Sequence, residues 1–142
     1  MIPNIVEVAK DVAERMSRDV VPRLTGFEAN NVAMSAAMIG MMAEHWDKAA
    51  SDLVAENTSL LQILALGAAS GFGPYDGPFD NPLADLRVHA LSALNARLRQ
   101  ALITLHAAVE DADSPVARQI EAHIWAELRA STERRKISAG NF

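Results

Sequence analysis

An all-α fold is predicted by two observations. Apolar residues recur at steps of three and four along most of the 142-residue chain, the spacing that puts side chains on one face of a helix. No stretch alternates apolar and polar residues with the period of a strand for more than four positions. The architecture expected is a single domain over residues 1–142, an up-down bundle of four to five helices with a Gly/Pro/aromatic loop at 70–82.

The first helix is carried by Ile5, Val8, Ala9, Val12, Ala13, Met16 and Val20 on one face, with Pro3 suited to its first turn. Pro22 interrupts it. Thr25-Gly26-Phe27-Glu28 then has the capping-box pattern and starts a second helix. Ala29, Val32, Ala36, Ile39, Ala43, Trp46, Ala50 and Leu53 form one stripe of this helix, and Met34, Met38 and Met41 mark a second beside it. A helix apolar on two faces has to be covered twice. Ala33, Ala36, Ala37 and Gly40 leave room for a close neighbour, which places the helix centrally or at a subunit contact. Asn57-Thr58-Ser59 is expected to end it, with a shorter apolar helix from about Ser59 to Ala69.

Residues 70–82, SGFGPYDGPFDNP, hold three glycines and three prolines among Phe72, Tyr75 and Phe79. Such a loop packs its aromatics over the bundle, either plugging the core or covering a ligand. The next helix is the clearest, with Leu83, Ala90, Leu91, Leu94, Leu98, Ala101, Leu102, Leu105 and Val109 in one stripe and Arg87, Asn95 and Arg99 off it. Ser114-Pro115 reads as an N-cap with proline at the first helical position, and Val116, Ile120, Ile124 and Leu128 carry the last helix to about Lys136. Arg134, Arg135 and Lys136 are expected to be a solvated terminus at the negative end of the helix dipole.

Composition narrows the function classes. The chain has no cysteine, which excludes a disulfide framework, thiolate metal sites and a cysteine nucleophile, and fits a reducing, cytoplasmic setting. The N-terminal residues lack the pattern of a signal peptide. The longest apolar-rich runs, 32–43 and 60–69, reach about half of the roughly 20 residues a membrane-spanning helix takes. Net charge is −5, and residues 24–86 carry one base, Lys48, against eight acids. No basic stripe marks a nucleic-acid binder, so neither nucleic acid nor membrane is an expected partner.

Few constellations offer chemistry. Asp85/His89, His106/Glu110 and His123/Glu127 each stand at i and i+4, a spacing that can orient an imidazole or supply two metal ligands. Helical rotation sends His89 to the wet face, leaves His106 at the border and puts His123 and Glu127 on the flank of the Ile120/Ile124 stripe. Surface pairs at this spacing are the ordinary outcome, contributing a few tenths of a kcal/mol. A ferritin-like di-iron site is excluded because no glutamate is followed by histidine at the third position. What remains is a mononuclear set, His45, His123 and Glu127, with Glu44 and Glu56 as further inward candidates. No hydrolase elbow, phosphate loop or dinucleotide fingerprint is present, and no catalytic residue is assigned. Met34, Met38, Met41 and Met42, with Trp46, Phe72, Tyr75 and Phe79, could line an adaptable groove for a small apolar ligand. A covered core or dimer contact uses the same residues.

Val20-Val21-Pro22-Arg23-Leu24 closing an amphipathic helix, then Phe27-Glu28-Ala29-Asn30-Asn31-Val32-Ala33 opening a small-residue helix, resembles a family of short, uncharacterised all-helical bacterial proteins. Ile124-Trp125-Ala126-Glu127-Leu128 echoes it. Members are often encoded beside acyl-CoA dehydrogenases and aminoglycoside-phosphotransferase-like kinases. The resemblance implies an accessory role near acyl-CoA or aromatic-compound metabolism and carries over no site residues.

The expectation is a cytoplasmic, non-enzymatic homodimer that acts as an interaction or accessory module without a cofactor. Two alternatives stand beside it. One is a binder of a small apolar or acyl ligand between helix 2 and the 70–82 loop, and the other a mononuclear metal-dependent bundle enzyme.

Overall fold

The computed structural model describes residues 4–73, 79, 81 and 83–138. Among these there are four α-helices and no strand: α1 (Ile5–Arg15), α2 (Gly26–Ala69), α3 (Val88–Asp111) and α4 (Pro115–Arg134). A π-helical turn, Met16–Val20, and a 3₁₀ turn, Val21–Arg23, follow α1. The chain divides into two compact units. The first comprises residues 1–49 and 136–142, the second residues 50–135.

In the first unit, the Asn4 side chain accepts from the Val6 amide and caps α1. Pro22 falls in the 3₁₀ turn, where its missing N–H and fixed φ end regular helix. Gly26 then takes a φ of 60°, a left-handed value open to glycine at little cost, and α2 begins. Along its first half the buried apolar residues are all small: Ala36, Ala43 and Ala49. The C-terminal residues of this unit return to the same stretch. The Ser138 amide donates to Glu44 Oε1 at 2.8 Å, and its hydroxyl to Glu44 Oε2 at 2.5 Å. These bonds hold the Glu44 carboxyl below the usual glutamate range. Lys48 Nζ donates to the carbonyl of Lys136.

In the second unit, the second half of α2 packs with α3 and α4 around Leu60, Ile63, Leu64, Leu94, Leu98, Leu102, Leu105, Val109, Ala117, Ile120 and Ile124. The break expected at Asn57-Thr58-Ser59 does not occur, and α2 runs unbroken for 44 residues. Asn57 is fully buried, and its side chain is engaged between helices instead of capping one. Its Nδ2 donates to the Leu91 carbonyl at 3.0 Å, and its Oδ1 accepts from Asn95 Nδ2 at 2.9 Å. Asn95, expected off the apolar stripe, is therefore buried with it.

Beside this pair lies Glu56, also buried. Arg99 Nε donates to its Oε1 at 2.6 Å and Arg135 Nη2 to its Oε2 at 2.8 Å. Burial raises the Glu56 pKa, but the hydrogen bonds from Asn95 and Arg99 and the charges of Arg99 and Arg135 outweigh it, and the carboxyl titrates below its ordinary value. Arg134 reaches the buried Glu127 in the same way. In the basic cluster ending α4, Arg134 and Arg135 thus turn back onto buried acids, while Arg135 and Lys136 stay exposed to solvent as expected.

The connections follow from local hydrogen bonding. α2 ends in a Schellman motif: the Phe72 amide bonds the Gly67 carbonyl and the Gly71 amide the Ala68 carbonyl, at 2.9 and 3.1 Å. Gly71 supplies the left-handed residue, with a φ of 85°. α3 begins at Val88 and not at Leu83, because the Leu83 and Arg87 amides are spent on side chains. Asn81 Oδ1 accepts from the Leu83 amide and Asp85 Oδ1 from the Arg87 amide, at 2.9 and 3.0 Å. Leu83 and Leu86 are left exposed. The Ser114 hydroxyl accepts from the Ala117 amide at 3.1 Å, and Pro115 opens α4. α4 packs on α3 across a connection of three residues, 112–114.

Removing the Asn57 side chain takes one buried partner from the Asn95 amide and one from the Leu91 carbonyl, so Asn57→Ala is expected to cost about 1–3 kcal/mol in urea unfolding. Asn31→Ala, exposed on the same helix, is expected to change stability by less than about 0.5 kcal/mol. The Glu56 ion pairs give a second test. Because its folded pKa lies below the ordinary 4.5, the stability it contributes is complete above that value. It is lost as pH falls from there through the folded pKa. In melting temperature against pH, Glu56→Gln is expected to flatten this acid limb and to lower stability at neutral pH.

Candidate functional site

The feature of the first unit that packing does not account for is its apolar surface. Phe27, Met34, Met38, Met42 and Trp46 are 79, 64, 55, 68 and 63% exposed. Met34, Met38, Met42 and Trp46 follow one another at steps of four, which makes a continuous ridge along α2. At 100° per residue Met34 lies opposite Ala43, so the helix buries its alanine side and shows its methionine side. The neighbouring row, Ala33 and Ala37, is small and exposed. A Cβ added to Gly40 would meet nothing within 4 Å.

The face of α1 adds to this surface. Ile5, Val8 and Val12, expected to face the core, are exposed, and the buried residue of the helix is Val6. Ile5, Val6 and Ala9 form a groove of about 240 Å³ with Met42, Ala43 and Trp46. The α1 face and the α2 ridge are therefore continuous at the groove. Monomers rarely leave this many large apolar side chains together in water.

The residues expected to line a ligand groove are distributed as follows. Met34, Met38, Met42 and Trp46 form the exposed ridge, and Met41 is partly buried. Phe72 and Phe79 pack against the core of the second unit, with the Arg97 guanidinium 5.7 Å from the centre of the Phe79 ring. Tyr75 lies outside the described residues.

Of the metal candidates, His45 is exposed in the first unit. His123 and Glu127 line one cleft of about 330 Å³ with Ser59, Gln62 and Leu66. Glu127 is buried there and bonds Arg134. The histidine and carboxylate atoms that converge among the described residues are those of His106, Glu110 and Glu121. Glu121 was not legible as a partner of the other two, since periodicity along one helix says nothing of which residue faces it from the next.

No known protein family, no curated protein and no solved structure matches this chain. No helix among the described residues is long and apolar enough to cross a membrane.

Proposed function

We propose that this chain is a cytoplasmic, non-enzymatic interaction module that works as a homodimer, the two copies meeting through the methionine ridge of α2 and the apolar face of α1. The observation that carries this is the continuous exposed ridge from Met34 to Trp46, joined by Ile5 at its groove. A second copy is the occupant favoured because the surface is self-complementary. Met34 and Met38 form a large row next to the small row of Ala33 and Ala37, so each copy offers both the ridge and the furrow. Across a two-fold axis the methionines of one α2 enter the alanine row of the other, the arrangement in which i±4 ridges interdigitate.

The same groove also suits a small apolar or acyl ligand, since its walls are apolar. The resemblance to short helical bacterial proteins encoded beside acyl-CoA dehydrogenases favours an accessory role near acyl-CoA metabolism for either occupant.

Sedimentation at tens of micromolar is expected to give twice the chain mass of 15.3 kDa. Met34→Glu with Met38→Glu puts four carboxylates into a two-fold contact and is expected to yield a folded monomer with unchanged helix content. A wild-type monomer whose methionines oxidise rapidly under mild peroxide would overturn the dimer. If medium-chain acyl-CoAs then raised the melting temperature of that monomer, the groove would be assigned to a ligand instead.

A further inference from the structure

We propose that His106, Glu110 and Glu121 form a binding site for one divalent transition-metal ion on the α3–α4 pair. The site belongs to the second unit, and the proposal does not rest on the dimer. His106 and Glu110 are one helical turn apart on α3, and Glu121 comes from the second turn of α4, just past the connection at 112–114. One ligand atom from each lies within 4.8 Å of the other two.

The second observation is the state of the imidazole. His106 Nε2 is closed off from solvent and has no hydrogen-bond partner among the described residues. Glu110 Oε1 lies 3.6 Å from it, beyond hydrogen-bond range. That separation is close to the ~3.4 Å that two ligands keep on a tetrahedral ion with bonds of about 2.0–2.1 Å. A buried nitrogen without a partner is costly, and a cation taking its lone pair removes the cost.

The surroundings orient the ligands. Trp125 Nε1 donates to Glu121 Oε1 at 3.3 Å, which fixes that carboxylate and leaves its other oxygen for an ion. The indole stands edge-on to His106, ring centres 5.4 Å apart at 84°. Outer partners of this kind set the direction of a metal's ligands. Two carboxylates and a neutral imidazole together match a divalent charge. One nitrogen and two oxygens suit Zn²⁺, Fe²⁺ or Mn²⁺ better than Mg²⁺ or Ca²⁺, which take all-oxygen shells of six or more. Glu110 is on the solvent side, so an ion can enter from water and keep exchangeable positions.

The test is calorimetric titration of the full chain, stripped with chelator, with Zn²⁺. One ion per chain is expected. Glu110→Gln, at an exposed position that tolerates change, and Glu121→Gln are each expected to weaken binding at least tenfold. His106→Gln is expected to abolish it, with circular dichroism reporting that the helices persist. Zn²⁺ is also expected to change Trp125 emission in the wild type and not in Glu121→Gln. Absence of binding, or affinity unchanged in both glutamate variants, would overturn the site. Mg²⁺ binding as tightly as Zn²⁺ would overturn its assignment to a transition metal.

Discussion

The second unit depends on one buried amide. Leucines recur on α3 at 91, 94, 98, 102 and 105, and a stripe of that kind packs nearly as well when one helix slides by a turn past its neighbour. Asn57 does not allow the slide. Its amide bonds the Leu91 carbonyl and the Asn95 side chain, both on α3, and in any other register the buried Asn57 side chain would lose both partners. A single interior asparagine specifies register in coiled coils by the same reasoning. Glu56 reinforces it at the next position along α2. Taking that carboxylate out of water is costly, and the attraction of Arg99 and Arg135 offsets the cost only where all three side chains meet. Arg135 lies at the end of α4, so the same acid ties the C-terminal end of that helix into the unit.

The first unit has no comparable device. Among the described residues every buried polar side chain belongs to the second unit: Glu56, Asn57, Asn95, Glu127 and Ser131. The first half of α2 buries alanines, each offering little area, and area removed from water is what stabilises a packed helix. The large side chains of the same segment face outward. One helix therefore serves two purposes. In its second half it is a core element held in register by polar bonds, and in its first half it carries large apolar side chains that are exposed among the described residues. An unpartnered stripe of methionine is the form such a surface takes when it must adapt to what it meets.

Helix existence was legible from periodicity, since α1, α3 and α4 carry apolar stripes that only a helix can align. Ser114-Pro115 was legible too, because a capping hydroxyl followed by a residue without an N–H has one natural place in a helix. What misled was polarity at interior positions. Asn57-Thr58-Ser59 has the composition of a helix end, and nothing along one strand of text separates an asparagine that caps from one that bonds a neighbouring helix. Asn95 and the arginines ending α4 failed for the same reason. Their partners are 38 and 79 residues away for Asn95–Asn57 and Arg135–Glu56, and a pairing at such distance leaves no local pattern. Leu83 fits the stripe although α3 starts later, because the competing turns at Asn81 and Asp85 depend on side chains accepting backbone amides. The candidate groove was partly legible: the methionine stripe was visible, but whether protein covered it was a matter of tertiary packing.

Segregation of chemistry between the units has a physical consequence. The buried carboxylates of Glu56 and Glu127 belong to the second unit, and the convergent histidine and carboxylates lie on α3 and α4 of that same unit. A cation bound there would be held by helices whose spacing the Asn57 and Glu56 bonds already set, so little reorganisation would accompany binding. Association through the first unit would act on a different part of the chain, with small side chains on one side of α2 and large ones on the other. Each unit also holds one of the two tryptophans, Trp46 at the groove and Trp125 beside His106. The exposed Trp46 indole responds to cover by apolar partners, and Trp125, bonded to Glu121, responds to a change in that carboxylate. The two events thus act on separate groups of residues, one driven by removal of apolar area from water and the other by charge.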